Sequence, residues 1–340
     1  MIRDKGNRYA RIAIAFLAVL SSVGEATAGG VATVAATGSD IAFDVHTGML
    51  YVSVLGVAGL PYGNRVVEVS PIDASITRSV FVGSDPTVIR TSADAAVAYV
   101  GLEGAAAVRR IDLVAMTADA PFAVGNDPSY GPLYPSDIAR MPGFPDTIAV
   151  SLHRHGVSPD YAGVAIFDAG VRRPTVINDF FGPVSLAFGA DAATLYGFDR
   201  DNQAVLSRSL VDASGVTVQT TQSLPALYGS DIRFDAGRIY STKGAVFDDT
   251  FALVGTYAAS GPIVVDEALA LVYIVEAGAI HVFDRDLFIE LYSMPVGEAS
   301  DRALAATGCG VSCIGIVFDS GRTVVATVDE VIFQDGFEAQ

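Results

Sequence analysis

The chain has 340 residues, of which 51% are hydrophobic and 17% charged, and its formal net charge is −17. This composition excludes an intrinsically disordered chain, because so large an apolar fraction can bury enough surface to offset the entropy lost on folding. The negative balance repels phosphate backbones, and no run of Lys and Arg reverses it locally. Nucleic acid is therefore excluded as a partner.

The first 28 residues have the pattern of a secretory signal peptide. Four basic residues precede an apolar run at positions 12–23, and the small-residue sequence Ala26-Thr27-Ala28 follows it. The apolar run is shorter than the roughly 20 residues that a membrane-spanning helix needs. We predict cleavage after Ala28 and export to the periplasm or the medium. An N-terminal membrane anchor is the alternative, and no later segment is long and apolar enough to span a membrane.

The two cysteines, Cys309 and Cys313, lie four residues apart in a Gly-rich segment. In an oxidising compartment such a pair predicts a local disulfide, with free thiols as the alternative because so small a loop is demanding to close. A structural zinc site needs four ligands, and a c-type haem needs a C-x-x-C-H motif. Neither pattern is present in the sequence.

A phrase of two short strands joined by a turn recurs along the chain. In its first copy Ser39–Asp44 leads through Thr47-Gly48 to Leu50–Ser53, with the alternation typical of a β-hairpin. Seven copies follow one another at steps of 33 to 50 residues, counted at Tyr51, Tyr99, Ala149, Tyr196, Tyr240, Tyr273 and Val317. Further strand pairs follow the hairpins, for example 65–69 with 76–82, 107–113 with 120–124, 164–167 with 175–177, and 279–283 with 288–292.

Four strands in each unit of roughly 45 residues predict an all-β fold, a seven-bladed β-propeller of four-stranded antiparallel blades. No window sustains the apolar stripe of a helix, and a β-sandwich array would not repeat one hairpin seven times. The last copy lacks a fourth strand, and the segment 30–35 is available to supply it. We expect a single domain over residues 29–333, closed by the N-terminal strand, with a C-terminal tail at 334–340 and a monomeric state.

Two of these phrases carry a family resemblance. The segment Asp44-x-x-Thr47-Gly48-x-Leu50-Tyr51-Val52-Ser53 and the segment Val82-Gly83-Ser84-Asp85-Pro86 resemble the YVTN-type seven-bladed β-propeller repeats of exported bacterial proteins. The resemblance spans roughly residues 30 to 333. It implies an architecture and an exported location, but no particular activity, because these repeats serve binding proteins, scaffolds and a few enzymes.

The four histidines give one candidate pair. His153 and His155 stand at i and i+2 at a strand end, which directs both rings to one face, as a metal or acid–base pair requires. No third ligand is identifiable from the sequence, so an exposed loop edge is the favoured interpretation. His46 lies in a hairpin turn and His281 within a strand, and both are interpreted as structural.

Three aspartates occupy matched positions in the repeat. Ser-Asp-Ile opens the inner strand of three copies and places Asp40, Asp137 and Asp231 at its start, while Asp85 and Asp301 lie close to the equivalent point in two others. Because inner strands line the central channel, the three carboxylates would converge on one mouth and could hold Ca²⁺. The alternative is that they cap turns by accepting backbone N–H bonds, and that interpretation is favoured.

Two classes of function follow. The first is a non-catalytic binding or scaffold module for a protein, a glycan or a small molecule. The second is a hydrolase or lyase, similar to a lactonase, with its site at the channel mouth. The chain has no Trp, which argues against quinoprotein, sialidase and WD40 propellers. The sequence has no G-x-S-x-G nucleophile motif and no acid–base pair at matched channel positions, which favours binding.

Overall fold

The computed structural model describes residues 30–328, which form seven antiparallel sheets arranged as the blades of a β-propeller. The predicted fold class is therefore confirmed. The predicted signal peptide at residues 1–28 and the predicted tail at 334–340 lie outside the described residues. Helical structure within 30–328 is limited to three single 3-10 turns, Gly56–Ala58, Glu103–Ala105 and Pro225–Leu227. No helix in this part of the chain is long and apolar enough to cross a membrane.

Each blade begins with the predicted hairpin, an inner strand beside the central channel paired with a second strand. The pairs, in chain order, are Asp40–Asp44 with Met49–Val54, Pro86–Thr91 with Val97–Leu102, Tyr134–Arg140 with Thr147–His153, Ser185–Phe188 with Thr194–Asp199, Ile232–Asp235 with Arg238–Ser241, Ile263–Asp266 with Leu271–Glu276, and Ala303–Gly308 with Cys313–Phe318.

The third and fourth strands complete each blade outward. They are Arg65–Val69 and Ile76–Phe81; Ala107–Asp112 with the two pieces Thr117–Ala118 and Phe122–Ala123; Tyr161–Asp168 and Val171–Arg172; Val205–Asp212 and Gly215–Ser223; Ala245–Phe247 and Leu253–Thr256; Ala279–Asp284 and Glu290–Pro295; and Thr323–Thr327 with Val31–Val34. A two-residue hairpin, Asn126–Asp127 with Gly131–Pro132, lies between blades 2 and 3.

The repeated tyrosines fix the packing between blades. Tyr51, Tyr99, Tyr196, Tyr240 and Tyr273 are at most 3% exposed and stand in the second strands of their blades. Tyr51 packs in one cluster with Ile89 and Val100 of the next blade. A buried aromatic ring removes roughly 150–250 Å² from water, so in five of the seven blades this position of the repeat contributes a large apolar contact; Ala149 and Val317 occupy it in blades 3 and 7.

The outer strands of blades 2 and 3 differ from the sequence prediction. In blade 2 the outer strand consists of two pieces that both pair with Ala107–Asp112, and of these only Phe122–Ala123 falls within the predicted 120–124, since the other is Thr117–Ala118. In blade 3 the outer strand is Val171–Arg172, and the predicted 175–177 segment makes only isolated bridges, from Ile177 to Val164 and from Thr175 to Gly215 of blade 4. Arg173-Pro174 separates the two segments, and proline cannot donate a ladder hydrogen bond.

The propeller is closed by pairing the start of the described chain with its end. Val31–Val34 runs antiparallel to Thr323–Thr327, with Val31 opposite Ala326 and Val34 opposite Thr323. Val34 is buried at 3% exposure, and the Gly38 N–H donates to the Gly321 carbonyl at 2.8 Å. The predicted closure by the N-terminal strand is confirmed, and side chains of blades 7 and 1, such as Val317 and Leu50, pack in one buried cluster.

The hairpin turn of blade 7 carries the disulfide. Cys309 and Cys313 are joined, with their Cα atoms 5.0 Å apart. The Cys309 N–H donates to the Cys313 carbonyl at 2.9 Å across the same turn, and Cys309 is 5% exposed. The disulfide therefore cross-links a turn that a backbone hydrogen bond already closes.

Removal of residues 30–36 should destabilise the whole propeller. The deletion leaves Thr323–Thr327 as an unpaired edge and exposes the site that Val34 fills, at a cost of roughly 5 kcal/mol. In calorimetry we expect the melting temperature to fall by about 10 °C or more. A synthetic peptide of residues 30–37 should restore part of the loss, and a scrambled peptide should not. An unchanged melting temperature would contradict this closure.

The disulfide should be visible by thiol labelling. Unfolded, unreduced protein should take up no iodoacetamide, and reduced protein should gain two labels by mass spectrometry, because both thiols are then free. Cys309→Ser supplies the control, since it leaves Cys313 with one label regardless of reduction. Two labels before reduction would show that the thiols are free.

Candidate functional site

The seven inner strands surround a central cavity of about 710 Å³. Its polar lining is not the ring of carboxylates that the sequence predicted, because arginines stand among the aspartates. The charged residues that line it are Asp40, Arg90, Asp137, Arg140, Arg200, Asp231 and Arg233. A second cavity of about 830 Å³ adjoins it at blades 5 to 7 and shares Arg200 and Asp231.

Arg90 of blade 2 joins two of the three predicted aspartates. Its Nη1 donates to Asp40 Oδ2 at 2.6 Å and its Nη2 to Asp137 Oδ1 at 2.9 Å. Both aspartate side chains are 13% exposed, against 38% for Arg90. Although burial opposes the charge of Arg90, the two carboxylates outweigh it and raise its pKa. One guanidinium thus balances two carboxylates from blades 1 and 3.

Asp40 and Asp137 also bind the backbone of the next blade. Asp40 Oδ2 accepts the Ile89 N–H and Asp137 Oδ2 accepts the Leu186 N–H, each at 2.9 Å. Ser185 plays the same role in blade 4, since its Oγ accepts the Ile232 N–H at 3.0 Å. The matched position of the repeat is therefore a link between neighbouring inner strands, which agrees with the capping interpretation more than with an open cation site.

Asp231 occupies the matched position in blade 5 but has a different environment. Its side chain is 49% exposed and pairs with Arg200 through Oδ1. Burial raises the pKa of Asp137 above its ordinary value, and the charge of Asp231 adds to this rise although Arg90 opposes it. The three aspartates do line one channel. The carboxylate oxygens of Asp40 and Asp137, however, already accept hydrogen bonds from Arg90 and from backbone amides. The calcium site stays a prediction.

The other two predicted carboxylates do not line the central cavity, although Asp301 lines the second cavity beside it. Asp85 Oδ1 accepts the Gly56 N–H at 3.1 Å, and its carbonyl accepts the Glu103 N–H at 2.9 Å. Asp301 Oδ2 pairs with Arg322 at 2.6 Å. Both aspartates are therefore engaged by groups of the chain, Asp85 by backbone amides and Asp301 by Arg322.

Arg140 of blade 3 lines the channel without a hydrogen-bonding partner. Within residues 30–328 its guanidinium makes no hydrogen bond or ion pair, and Asp94 and Asp44 act on it only at longer range. Burial lowers its pKa, and the like charges of Arg233 and Arg90 lower it further. The neighbouring Arg233, by contrast, is paired with Asp235 at 3.1 Å.

The histidine pair acquires a third polar partner in the structure. His153 ends the second strand of blade 3, and its Nε2 lies 3.0 Å from Glu103 Oε1 of blade 2. His155 Nε2 lies 2.6 Å from the same oxygen. Although burial opposes ionisation, contact with the two imidazoles lowers the pKa of Glu103. The other histidines behave as predicted for structural residues: His46 contacts the Ala93 carbonyl at 3.0 Å and His281 contacts Glu290 at 2.8 Å.

Sequence reasoning missed Arg90, Arg140 and Glu103, although the repeat held a usable signal. Arg90 lies 50 residues from Asp40 and 47 from Asp137, and Glu103 lies 50 from His153. Each of these sequence separations equals the length of about one repeat, so the two residues occupy similar positions in neighbouring blades. Pairing polar residues one repeat apart near the same strand end would have brought these groups together.

Comparison with known proteins supports the fold and leaves the activity open. No protein-family model matches the chain, and no curated protein matches it. Among solved structures, the β-propeller domain of Cps50 (Swd1) from Myceliophteria thermophila superposes with a TM-score of 0.66 at 10% identity, over 87% of this chain and 98% of that one. Hydrazine synthase from Kuenenia stuttgartiensis gives a TM-score of 0.62 at 14% identity, over 85% and 95%. At these identities the likeness concerns the fold alone, and the chain is a seven-bladed β-propeller.

Of the four channel arginines, Arg90 and Arg140 should respond oppositely to neutralisation. Arg90→Met leaves Asp40 and Asp137 without their shared cation, so we expect a loss of roughly 1–3 kcal/mol, less than for a fully buried pair because Arg90 is partly exposed. Arg140→Met removes an unpaired, partly desolvated charge and should raise the melting temperature of the ligand-free protein. Equal losses in both variants would contradict these roles.

The effect of Ca²⁺ on the melting temperature gives a second test of the role of Arg90. While Arg90 occupies the space between Asp40 and Asp137, millimolar Ca²⁺ should leave the melting temperature unchanged. In Arg90→Met the freed carboxylates should bind the cation, so the ion should recover part of the lost stability. Stabilisation of the unmodified protein by Ca²⁺, lost when all three aspartates are changed to Asn, would instead support the predicted calcium site.

Proposed function

We propose that the protein is an exported, YVTN-type binding module that holds a small anionic molecule in its central channel. The observation that carries the proposal is the guanidinium of Arg140, which lines the cavity and has no hydrogen bond or ion pair within residues 30–328. A partly buried charge without a partner costs stability. An anionic ligand that pairs with this charge would remove that cost, so the cost favours ligand binding.

The chemistry of the channel favours a carboxylate or phosphate group. Arginine presents a planar fork that binds either group through two parallel hydrogen bonds. The volume of about 710 Å³ falls within the range of small-molecule sites. Phe43, Phe188 and Phe234 also line the cavity, so the body of the ligand can be apolar or a sugar ring.

The catalytic alternative receives less support from the same residues. A general acid or base needs a carboxyl or imidazole free to exchange a proton with the ligand. In the channel Asp40 and Asp137 are engaged by Arg90 and by backbone amides, and Asp231 is engaged by Arg200. We therefore favour binding over a lactonase-like hydrolase or lyase.

Binding can be tested by calorimetry with benzoate, D-glucuronate and glycerol 3-phosphate, and with glucose as the uncharged control. We expect at least one of the anions, and not glucose, to bind. Arg140→Met should weaken that binding about tenfold or more, because a charge-assisted hydrogen bond contributes roughly 1.5–3 kcal/mol.

Arg172→Met is the matched control, since Arg172 lies exposed in the outer strand of the same blade and the substitution changes the net charge equally. It should bind the anion as the unmodified protein does. Binding that survives Arg140→Met, or that falls equally in both variants, would contradict a site at Arg140. The choice between carboxylate and phosphate ligands would identify the anion class.

A further inference from the structure

Glu103, His153 and His155 bring three metal-ligating groups to the junction of blades 2 and 3. One ligand atom from each residue lies within 4.8 Å of the other two. Glu103 comes from the 3-10 turn of blade 2, and the histidines come from the end of the second strand of blade 3 and the loop that follows. We propose that these three side chains form a binding site for a divalent transition-metal ion, with Zn²⁺ as the best-suited ion. This site is separate from the proposed channel site and does not depend on it.

Both imidazoles are held in an orientation that suits a ligand role. His153 Nδ1 lies 3.0 Å from Ser136 Oγ, so its Nε2 is turned toward Glu103. Metal-binding histidines usually have their second ring nitrogen fixed in this way. The His155 ring stacks on Tyr134, with centroids 3.7 Å apart and planes within 4°.

The basic residue between the histidines points away from them. Arg154 Nε donates to Asp127 Oδ2 at 2.7 Å, and its Nη1 donates to the Tyr161 carbonyl. The guanidinium is thereby held by groups other than the Glu103 cluster. Glu103 is placed by its own turn, whose N–H groups at Glu103 and Gly104 donate to the carbonyls of Asp85 and Ser84.

The distances fit a metal ion after a small adjustment. Two ligands of a tetrahedral Zn²⁺ lie about 3.4 Å apart when each is about 2.1 Å from the ion. The Glu103 oxygen now lies 3.0 Å from one histidine nitrogen and 2.6 Å from the other. The ligand atoms must therefore separate by under about 1 Å, which His155 can provide because its side chain is 53% exposed.

The donor set selects the class of ion. Two imidazole nitrogens and one carboxylate oxygen suit Zn²⁺ and its neighbours in the first transition series, whereas Ca²⁺ and Mg²⁺ prefer oxygen ligands. Three protein ligands and an exposed side leave room for a water or an added ligand at the ion. Because Ser136 also lines the central cavity, the ion would stand beside the channel mouth.

The test uses untagged full-length protein, freed of metal with EDTA and titrated with Zn²⁺ in a calorimeter. We expect one ion per chain and a rise in melting temperature, because the ion would join blade 2 to blade 3. Co²⁺ should bind at the same stoichiometry and report its ligands through visible absorption. Ca²⁺ should not bind there.

Variants locate the site. Glu103→Gln, His153→Ala and His155→Ala should each weaken Zn²⁺ binding a hundredfold or more. His281→Ala should leave it unchanged and is the matched control, because His281 also contacts a glutamate but has no second imidazole beside it. Glu103→Gln keeps the shape of the side chain and His155 lies on a loop, so these two variants decide the question if His153→Ala fails to fold.

Failure to bind Zn²⁺, or undiminished binding in Glu103→Gln and His155→Ala, would overturn the proposal. Loss of anion binding in Arg140→Met with intact Zn²⁺ binding would show that the two sites are independent, as inferred here.

Discussion

The structure depends on the antiparallel pairing of Val31–Val34 with Thr323–Thr327. Every other blade is built from one continuous stretch of chain, whereas blade 7 takes its outer strand from the opposite end of the sequence. This pairing covers the outer edge of Thr323–Thr327 and ties the start of the described chain to its last blade. The inner strands can therefore surround a channel of fixed width, and the charged groups on them can be held at defined separations.

The charged residues of the channel include more basic than acidic groups, although the chain as a whole is acidic. The chain carries 38 acidic and 21 basic residues, yet four arginines line the channel beside three aspartates. Arg90 and Arg200 are engaged by carboxylates, and Arg233 is paired with Asp235. Arg140 differs from them in having no such partner in residues 30–328, and the proposed anion site rests on this difference.

The sequence predicted the parts of the molecule that repeat. Seven copies of one hairpin phrase led to seven blades, and the missing fourth strand of the last copy led to the closing strand, because a repeat and its strand pattern can be recognised from local sequence. The pairing of Arg90 with Asp40 and Asp137 was not predicted, since it joins side chains from three blades. The carboxylate of Glu103 beside His153 and His155 was missed for the same reason, because Glu103 belongs to another blade. The broken outer strands of blades 2 and 3 show that the edge of a blade is less constrained than its interior, where both faces are packed.

The position of the closing strand at the start of the described chain affects when the propeller can close during folding. Val31 and its partner Ala326 are 295 residues apart, so at roughly 5–20 residues per second a ribosome needs about 15–60 s to make the second after the first. Throughout that interval the first strand has no partner, while the hairpins of the intervening blades can form from neighbouring residues. Contacts of such long sequence separation form slowly. We therefore expect the pairing of these two strands to be a late step of folding, and a chain that ends before residue 323 would leave Val31–Val34 without its partner and available to a neighbouring molecule.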